Sequence, residues 1–279
     1  MSPAAEDLPP ATPPLVNPEE LRRWVLLDDE RLLVIDKPGW LVVHPSKNGP
    51  WSSLAGAVRE VFRHDAIRFV YRLDRETSGV IVLAKTEAIG SRLQKAVGRR
   101  RIGKAYVAIL EGELSVTLTV DQPLGPDPTA SVTVKQRVVA GEGSQAAVTS
   151  FHPLFARGGF TLAGVELVTG RKHQIRAHAE WLGQRVVGDK LYGPDPGLYL
   201  EFATRGWTAR HSALLPLTRQ ALHCAAIDLR GAGLDYVLQA PWPRDLAKFA
   251  ERRMGLPAGE AQALIDAFTA RVLTKPGAA

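Results

Sequence analysis

Four segments with strand-like patterns follow one another between residues 115 and 170, and no helical pattern separates them. They read SVTLTVDQPL, SVTVKQRVVA, QAAVTSFHPL and FTLAGVELVTG. Helical spacing of apolar residues occurs before and after them, at 52–63, 87–98, 173–183, 243–254 and 257–273. Strands that are clustered in this way, and do not alternate strictly with helices, favour an antiparallel sheet. The sequence therefore predicts an α+β fold with a mainly antiparallel or mixed β-sheet and flanking helices.

The N-terminal region is rich in proline and has no periodicity, which predicts a disordered arm over residues 1–18. We expect one catalytic domain over residues 19–250 and a C-terminal helical extension over residues 251–279. The N-terminus has no apolar core segment typical of a secretory signal, and no apolar run is long enough to span a bilayer. A single cysteine, Cys224, excludes an intrachain disulfide. These features predict a cytoplasmic protein without membrane contact.

Positive charge is concentrated in one part of the chain. The 279 residues carry a formal net charge of +6. Residues 85–104, KTEAIGSRLQKAVGRRRIGK, hold seven basic residues and one acidic residue, so this window has a net charge of +6 by itself. A patch of this kind is typical of proteins that bind a phosphate backbone, although a solvated helix face would have the same pattern.

Motifs for nucleotide and metal binding are absent from the sequence. There is no GxxxxGK[ST] loop, and the only GxGxx[GA] match, GEGSQA at 141–146, precedes a strand pattern where a dinucleotide site needs a helix. The seven histidines have no HExxH spacing, and His173 and His178 are five residues apart. We therefore expect neither a cofactor nor a metal ion.

Two blocks combine glycine with charged residues. In YRLDRETSGVIVLAKT, residues 71–86, Asp74 lies between Arg72 and Arg75 and precedes an apolar strand pattern. In GRKHQIRAHAEWLGQRVVGDKLYG, residues 170–193, a helix carrying Arg176 follows three basic residues, and Asp189 closes the block. The carboxylate of Asp74 fits a surface ion pair, a metal ligand or a nucleophile, and the two blocks together suggest a shared cleft.

The first block resembles the (H/Y)RLDxxTSGxxxxAK signature of the RluA family of pseudouridine synthases. Four other segments are similar to family elements in the same order: VIDKPGWLVVHP, KAYVAILEG, the block 170–193, and RQALHCAAI. The resemblance covers roughly residues 30–245, and five ordered blocks make it specific. Because the Lys-Pro-Gly element starts at residue 37, we expect the compact form of the family, without a separate N-terminal RNA-binding module.

The resemblance implies a pseudouridine synthase fold with a central RNA-binding cleft, and isomerisation of uridine to pseudouridine in RNA without a cofactor. Asp74 matches the catalytic aspartate, which acts as nucleophile, base or charge stabiliser. Arg176 matches the arginine that pairs with it, an arrangement that would favour the ionised carboxylate. Tyr106 matches the active-site tyrosine, whose ring stacks on the target base and whose hydroxyl can take part in proton removal at carbon 5.

Further residues are assigned to substrate binding on the same grounds. Arg72 matches the arginine that fills the space left by the flipped uridine, and Ile175 the apolar residue packed against the tyrosine. Arg171, Lys172 and His173, at the start of the predicted helix, are expected to bind RNA. The partner is expected to be ribosomal RNA, transfer RNA or both, and the protein a monomer.

Two alternatives remain open at this stage. A metal-dependent RNA hydrolase would use Asp74, Glu76 and Asp189 as ligands, although the flanking arginines disfavour a cation there. A non-catalytic RNA-binding module would tolerate replacement of Asp74 without consequence.

Overall fold

The computed structural model describes residues 8–9, 14–45, 48–63 and 67–273. The chain forms two compact units. In terms of described residues, the Asp74 unit comprises 14–45, 48–63, 67–105, 223–241 and 269–273, and the Arg176 unit comprises 8–9, 106–222 and 242–268. Most of the arm predicted over residues 1–18 (residues 1–7 and 10–13) lies outside the described residues.

The Asp74 unit has three helices and a mixed sheet. The helices are α1 (Pro18–Arg23), α2 (Leu54–Phe62) and α3 (Glu87–Gly98). The strands are β1 (Val25–Asp28), β2 (Leu32–Lys37), β3 (Arg68–Phe69), β4 (Ser78–Ala84), β11 (Leu222–Asp228) and β12 (Val237–Gln239). The sheet order is β1-β2-β4-β11, with β3 paired to β4 and β12 to β11.

Strand β4 is the centre of this sheet. It pairs antiparallel with β2 on one side, and on the other with β3 (antiparallel) and β11 (parallel). All seven of its residues are buried. A strand covered on both faces loses the polar–apolar alternation of a half-exposed strand, which explains the continuous apolar run VIVLA. The turn that precedes β4, which contains Asp74, is therefore attached to a fully buried strand.

The Arg176 unit contains most of the clustered strands predicted from the sequence. Its sheet order is β5-β10-β9-β6, formed by β5 (Gly103–Glu111), β6 (Leu118–Asp121), β9 (Val148–Arg157) and β10 (Phe160–Leu167). A separate hairpin joins β7 (Leu124–Pro126) and β8 (Gln136–Val138). The helices are α4 (Gln174–Trp181), α5 (Gly197–Arg205), α6 (Ala209–Leu214), α7 (Arg244–Met254) and α8 (Ala258–Leu273).

Two helices of this unit pack in different places: α4 on a buried apolar cluster, and α8 on the sheet. Ala177 of α4 belongs to a buried cluster with Leu124 and Tyr192. On the sheet, Gly164 of β10 provides space for Phe268 of α8, since a Cβ at Gly164 would lie 2.5 Å from the phenylalanine ring. The C-terminal helices are therefore packed directly on the sheet.

The predicted fold class is confirmed: the protein is α+β with a large mixed sheet and flanking helices. The apolar runs on both sides of the Lys-Pro-Gly turn in RLLVIDKPGWLVVHP predict two strands, and the second of these predictions is wrong. The carbonyls of Val42 and Val43 accept the amides of Leu54 and Ala55, so they hold the start of α2 instead of pairing in a sheet.

Two other expected strands are shorter than their patterns. Only Arg68–Phe69 of RFVYRL pairs as a strand, because the chain then enters the Asp74 turn. Only Gln136–Val138 of SVTVKQRVVA does so, because a turn from Val132 to Lys135 precedes it. Among the described residues, no helix is both long and apolar enough to cross a membrane.

Candidate active site

Asp74 lies in the turn between β3 and β4. The amide of Thr77 donates to the Asp74 carbonyl at 3.1 Å, which closes the turn, and β4 begins at the next residue, Ser78. Asp74 is half-buried, whereas its neighbours Arg72 and Arg75 are exposed. The turn therefore holds the partly exposed Asp74 carboxylate between two cations.

The buried Lys37 side chain supports this turn through hydrogen bonds to backbone carbonyls. Lys37 has no exposed surface, and its ammonium donates to the carbonyls of Pro38 at 2.7 Å, Leu41 at 2.9 Å and Arg75 at 3.0 Å. A charged group can be buried only when hydrogen bonds replace its hydration, and three acceptors match the three donors of an ammonium group. The Lys-Pro-Gly element therefore fixes the backbone beside Asp74.

The Ser78–Gly79 pair attaches the other end of the turn to β11. The Ser78 hydroxyl lies 3.0 Å from Nδ1 of the buried His223. Gly79 has a φ of 107°, and a Cβ there would lie 2.2 Å from the Cys224 carbonyl oxygen. No other residue type fits this close approach of two strands. Thr77, Ser78 and Gly79 therefore shape the turn.

Tyr71 and Lys104 support the chain before Asp74. The Tyr71 hydroxyl donates to the Val80 carbonyl at 2.7 Å, and the Lys104 ammonium lies 3.6 Å from the centre of the tyrosine ring. Burial lowers the pKa of Lys104 to about 8, against an opposing effect of Cys224. The ring face partly replaces the hydration that this ammonium loses.

Arg72 is held by an imidazole. Its Nη1 lies 2.6 Å from Nε2 of His44. Desolvation, and then the positive charge of Arg72, lower the pKa of His44. Only neutral imidazole has a nitrogen that accepts a hydrogen bond, so the contact requires the neutral form.

In the Arg176 unit, a buried glutamine shapes the segment before α4. The Gln174 Oε1 accepts from the Thr169 hydroxyl at 2.7 Å and from the Arg171 amide at 2.9 Å. Its Nε2 donates to the Val148 carbonyl and to the Thr149 hydroxyl. Every hydrogen-bonding atom of this side chain is used, so the start of α4 is attached to β9.

One turn later, His178 attaches the same helix face to the same strand. Its Nδ1 lies 2.8 Å from the Thr149 hydroxyl and its Nε2 lies 3.0 Å from the Gln122 carbonyl. Burial lowers the pKa of His178, which favours the neutral ring, in which Nε2–H donates to the Gln122 carbonyl and Nδ1 accepts from the Thr149 hydroxyl. Residues four apart share a helix face, so Gln174 and His178 form a pair of anchors.

Arg176 lies between Gln174 and His178 in the sequence, and it forms a buried ion pair with Asp189. Its Nε lies 2.6 Å from Oδ2 of Asp189 and its Nη2 lies 2.9 Å from Oδ1. Asp189 also accepts the amides of Leu191 and Tyr192. Burial alone would raise the pKa of Asp189, but the charge and hydrogen bonds of Arg176 outweigh it and hold that pKa below its usual range. The Tyr192 ring adds a face 4.8 Å from the guanidinium carbon.

The remaining predicted residues of this unit differ in exposure. Tyr106 on β5 and Ile175 on α4 are buried, whereas Lys172 is exposed. The Nε of Arg171 donates to the Ala146 carbonyl at 3.1 Å. His173 has a left-handed backbone, and its Nδ1 lies 3.0 Å from the Tyr192 hydroxyl.

The predicted residues thus belong to two groups. Asp74 and Arg72 lie in the Asp74 unit, and the other six lie in the Arg176 unit: Tyr106, Arg171, Lys172, His173, Ile175 and Arg176. The pairing of Arg176 with Asp74 stays a prediction. Sequence reasoning missed Lys37, Gln174, His178 and Tyr192 as supporting residues, although each lies inside a block that resembles the family.

Comparison with known proteins gives the family. The model of the RNA pseudouridylate synthase family matches residues 31–181, more than half of the chain. A Bacillus subtilis protein called uncharacterized RNA pseudouridine synthase YhcT is 32% identical over 83% of this chain and 72% of its own length. The ribosomal large subunit pseudouridine synthase D of Escherichia coli K12 is 30% identical over 84% of this chain and 72% of its own length.

Solved structures agree on the fold. The human RNA pseudouridylate synthase domain containing 4 has a TM-score of 0.66 and 22% identity, and the match covers 86% of this chain and 97% of that one. At this identity the similarity concerns the fold alone. The family model and the sequence relatives lead to one assignment: the chain belongs to the RluA-type family of RNA pseudouridine synthases, which are isomerases.

Proposed function

We propose that this protein converts specific uridines of structured RNA to pseudouridine, with Asp74 as the catalytic carboxylate. In this reaction the bond between ribose carbon 1′ and base nitrogen 1 breaks, and the uracil turns. Carbon 5 then bonds to carbon 1′, carbon 5 loses its proton, and nitrogen 1 gains one. The reaction is an isomerisation, so it consumes no co-reactant. The uridine must leave its stack first.

The construction of the Asp74 turn carries this proposal. Lys37 and the contact between Ser78 and His223 attach the two sides of the turn to the protein. A surface ion pair needs no such support, whereas a group that reacts with a positioned ribose does. The turn is therefore suited to a nucleophile, base or charge stabiliser at the anomeric carbon.

The other site residues are proposed from the family resemblance. Tyr106 would stack on the target base and assist proton removal at carbon 5, and Ile175 would support it. Arg176 would keep the Asp74 carboxylate ionised, and Arg72 would fill the space left by the flipped uridine. Arg171, Lys172 and His173 would bind the RNA around it. We propose ribosomal or transfer RNA as substrate and a cytoplasmic monomer as the active form.

The two alternatives are less consistent with the contacts. A metal-dependent hydrolase would need Asp189 as a ligand, but both of its carboxylate oxygens accept hydrogen bonds from Arg176. A guanidinium in that position repels a cation. A non-catalytic RNA-binding module gives no reason to keep a carboxylate between two arginines, because negative charge opposes phosphate binding.

Replacement of Asp74 by asparagine tests the proposal. The side chain keeps its shape, so we expect RNA binding to persist and pseudouridine formation to be abolished. Glu76→Gln is the matched control, because it removes a carboxylate two residues away in the same turn and should retain activity. Pseudouridine is quantified by nucleoside mass spectrometry of RNA treated with each protein. Activity of Asp74→Asn above about a tenth of wild type, which is a loss of less than about 1.4 kcal/mol of transition-state stabilisation, would exclude Asp74 as the nucleophile or base.

A further inference from the structure

The arginine turn, residues Arg99–Arg101, ends helix α3 inside the basic window of the sequence. All three side chains are exposed. Within the Asp74 unit, no described carboxylate forms an ion pair with any of them. Glu111 and Glu113, the first acidic residues after the turn in sequence, have partners inside the Arg176 unit: Glu111 lies 3.8 Å from Arg185, and Glu113 accepts the amide of Gly159.

The backbone of this turn is unusual for arginine. Arg100 has a φ of 57°, in the left-handed region. The amide of Arg101 donates to the Ala96 carbonyl at 2.8 Å and that of Arg100 to Val97 at 3.0 Å, the two bonds of a Schellman helix end. Glycine is the usual residue at this position, because a side chain makes the conformation unfavourable. Helix termination alone therefore does not explain an arginine here.

The turn is also held in place by its neighbours. A Cβ on Gly231 would lie 2.0 Å from the Arg101 carbonyl oxygen, so the two backbones are in close contact. The guanidinium of Arg92 donates to the carbonyls of Ala232 at 2.6 Å and Gly233 at 2.9 Å, which attaches α3 to the same segment. Three exposed cationic side chains thus extend from one fixed backbone.

We propose that the arginine turn is a binding site for RNA backbone phosphates, outside the residues that act on the uridine, and that Arg100 is its central cation. The proposal rests on the proposed function for the identity of the polyanion. Phosphate groups in a strand are contacted without reading bases, which suits long exposed guanidiniums on a fixed support. An acidic protein partner is the alternative occupant, and it would leave RNA binding insensitive to this turn.

The Arg100→Gly variant distinguishes an effect on RNA binding from an effect on the stability of the fold. Glycine suits the left-handed backbone, so the melting temperature should stay the same or rise. Loss of one phosphate contact should make the negative slope of log K against log salt shallower by about 0.7–0.9, which corresponds to about five- to eightfold weaker binding at 0.1 M salt. The probe is a fluorescein-labelled RNA stem–loop with single-stranded uridines, titrated by fluorescence anisotropy at several salt concentrations.

Arg63→Gly is the matched control. Arg63 ends helix α2 with a φ of 50° and is exposed, but it does not belong to a run of arginines. The same charge is removed from a residue that also ends a helix in the left-handed region, so its binding constant and salt slope should remain those of wild type. A double variant, Arg99→Ala with Arg101→Ala, leaves Arg100 unchanged and should also weaken binding and flatten the slope.

Two results would overturn the proposal: wild-type slopes for both arginine-turn variants, or an equal loss in Arg63→Gly, which would indicate a nonspecific effect of net charge. Pseudouridine formation by the wild-type protein on the same RNA is measured in parallel. Failure of the arginine turn leaves wild-type turnover intact, whereas failure of the proposed function leaves no pseudouridine with any protein. The two failures are therefore distinguishable.

Discussion

Replacing Asp189 by asparagine removes the charge that holds Arg176 in the Arg176 unit. The Asp189 side chain has no exposed surface and that of Arg176 is 8% exposed. Asparagine keeps an oxygen for the amides of Leu191 and Tyr192, but its NH₂ group faces the Nε–H of Arg176. A donor then meets a donor, and a buried cation loses its carboxylate. Removing one partner of a buried ion pair costs about 3–5 kcal/mol.

The pair of Arg219 and Asp245 provides the control. It has the same two-point geometry, with distances of 2.5 Å and 2.9 Å. The Arg219 side chain is 10% exposed, but that of Asp245 is 43% exposed, so water reaches the pair and screens the interaction. Asp245→Asn should therefore cost less than Asp189→Asn, about 1–2 kcal/mol.

The assay is urea unfolding followed by tryptophan fluorescence, together with hydrogen exchange of the amides of α4. We expect α4 to exchange faster in Asp189→Asn, because Arg176 lies on that helix. If the two variants differ by less than about 1 kcal/mol, burial does not determine the strength of these pairs and the reasoning is refuted. Pseudouridine formation by Asp189→Asn then shows separately how far the reaction depends on the position of Arg176.

Further predictions concern support and pH. Lys37→Met leaves three carbonyls without their donor and should cost about 2–4 kcal/mol in urea unfolding, whereas a cost below about 1 kcal/mol would show that water replaces the ammonium. Gly79→Ala should destabilise by more than about 2 kcal/mol because of its φ and the nearby Cys224 carbonyl, and a neutral result would contradict the close approach of the strands. Because the pKa of Lys104 is lowered to about 8, stability should rise as the pH increases from 8 towards the unfolded value near 10.5, and Lys104→Met should lack this rise. Because the pKa of Asp189 is lowered in the folded state, its ionised carboxylate stabilises the fold above about pH 4, and this stabilisation should be lost as the pH falls through the folded pKa. The difference in unfolding free energy between wild type and Asp189→Asn should therefore become smaller between pH 7 and pH 3.

Local structure was largely predictable. The pattern at 87–98 gave the bounds of α3, because its apolar spacing is helical and Thr86 caps its first turn. Asn17 and Pro18 likewise begin α1 as their side chains predict. Apolar pattern was less reliable for LVVHP, whose carbonyls bond to the start of α2, a segment about ten residues away. The pattern of apolar side chains does not predict which distant backbone amide will donate a hydrogen bond to a given carbonyl.

The sequence by itself determined the fold class, the family and the candidate residues, because periodicity, capping and motif order are all written along the chain. The tertiary structure decided how the candidates are held. Lys37 reaches the carbonyl of Arg75 across 38 positions, and Ser78 meets His223 across 145. Arg176 pairs with Asp189 because Gln174 and His178 anchor the other face of α4. Burial sets the strength of such contacts and the pKa values that follow from them, and burial exists only after distant segments have packed together.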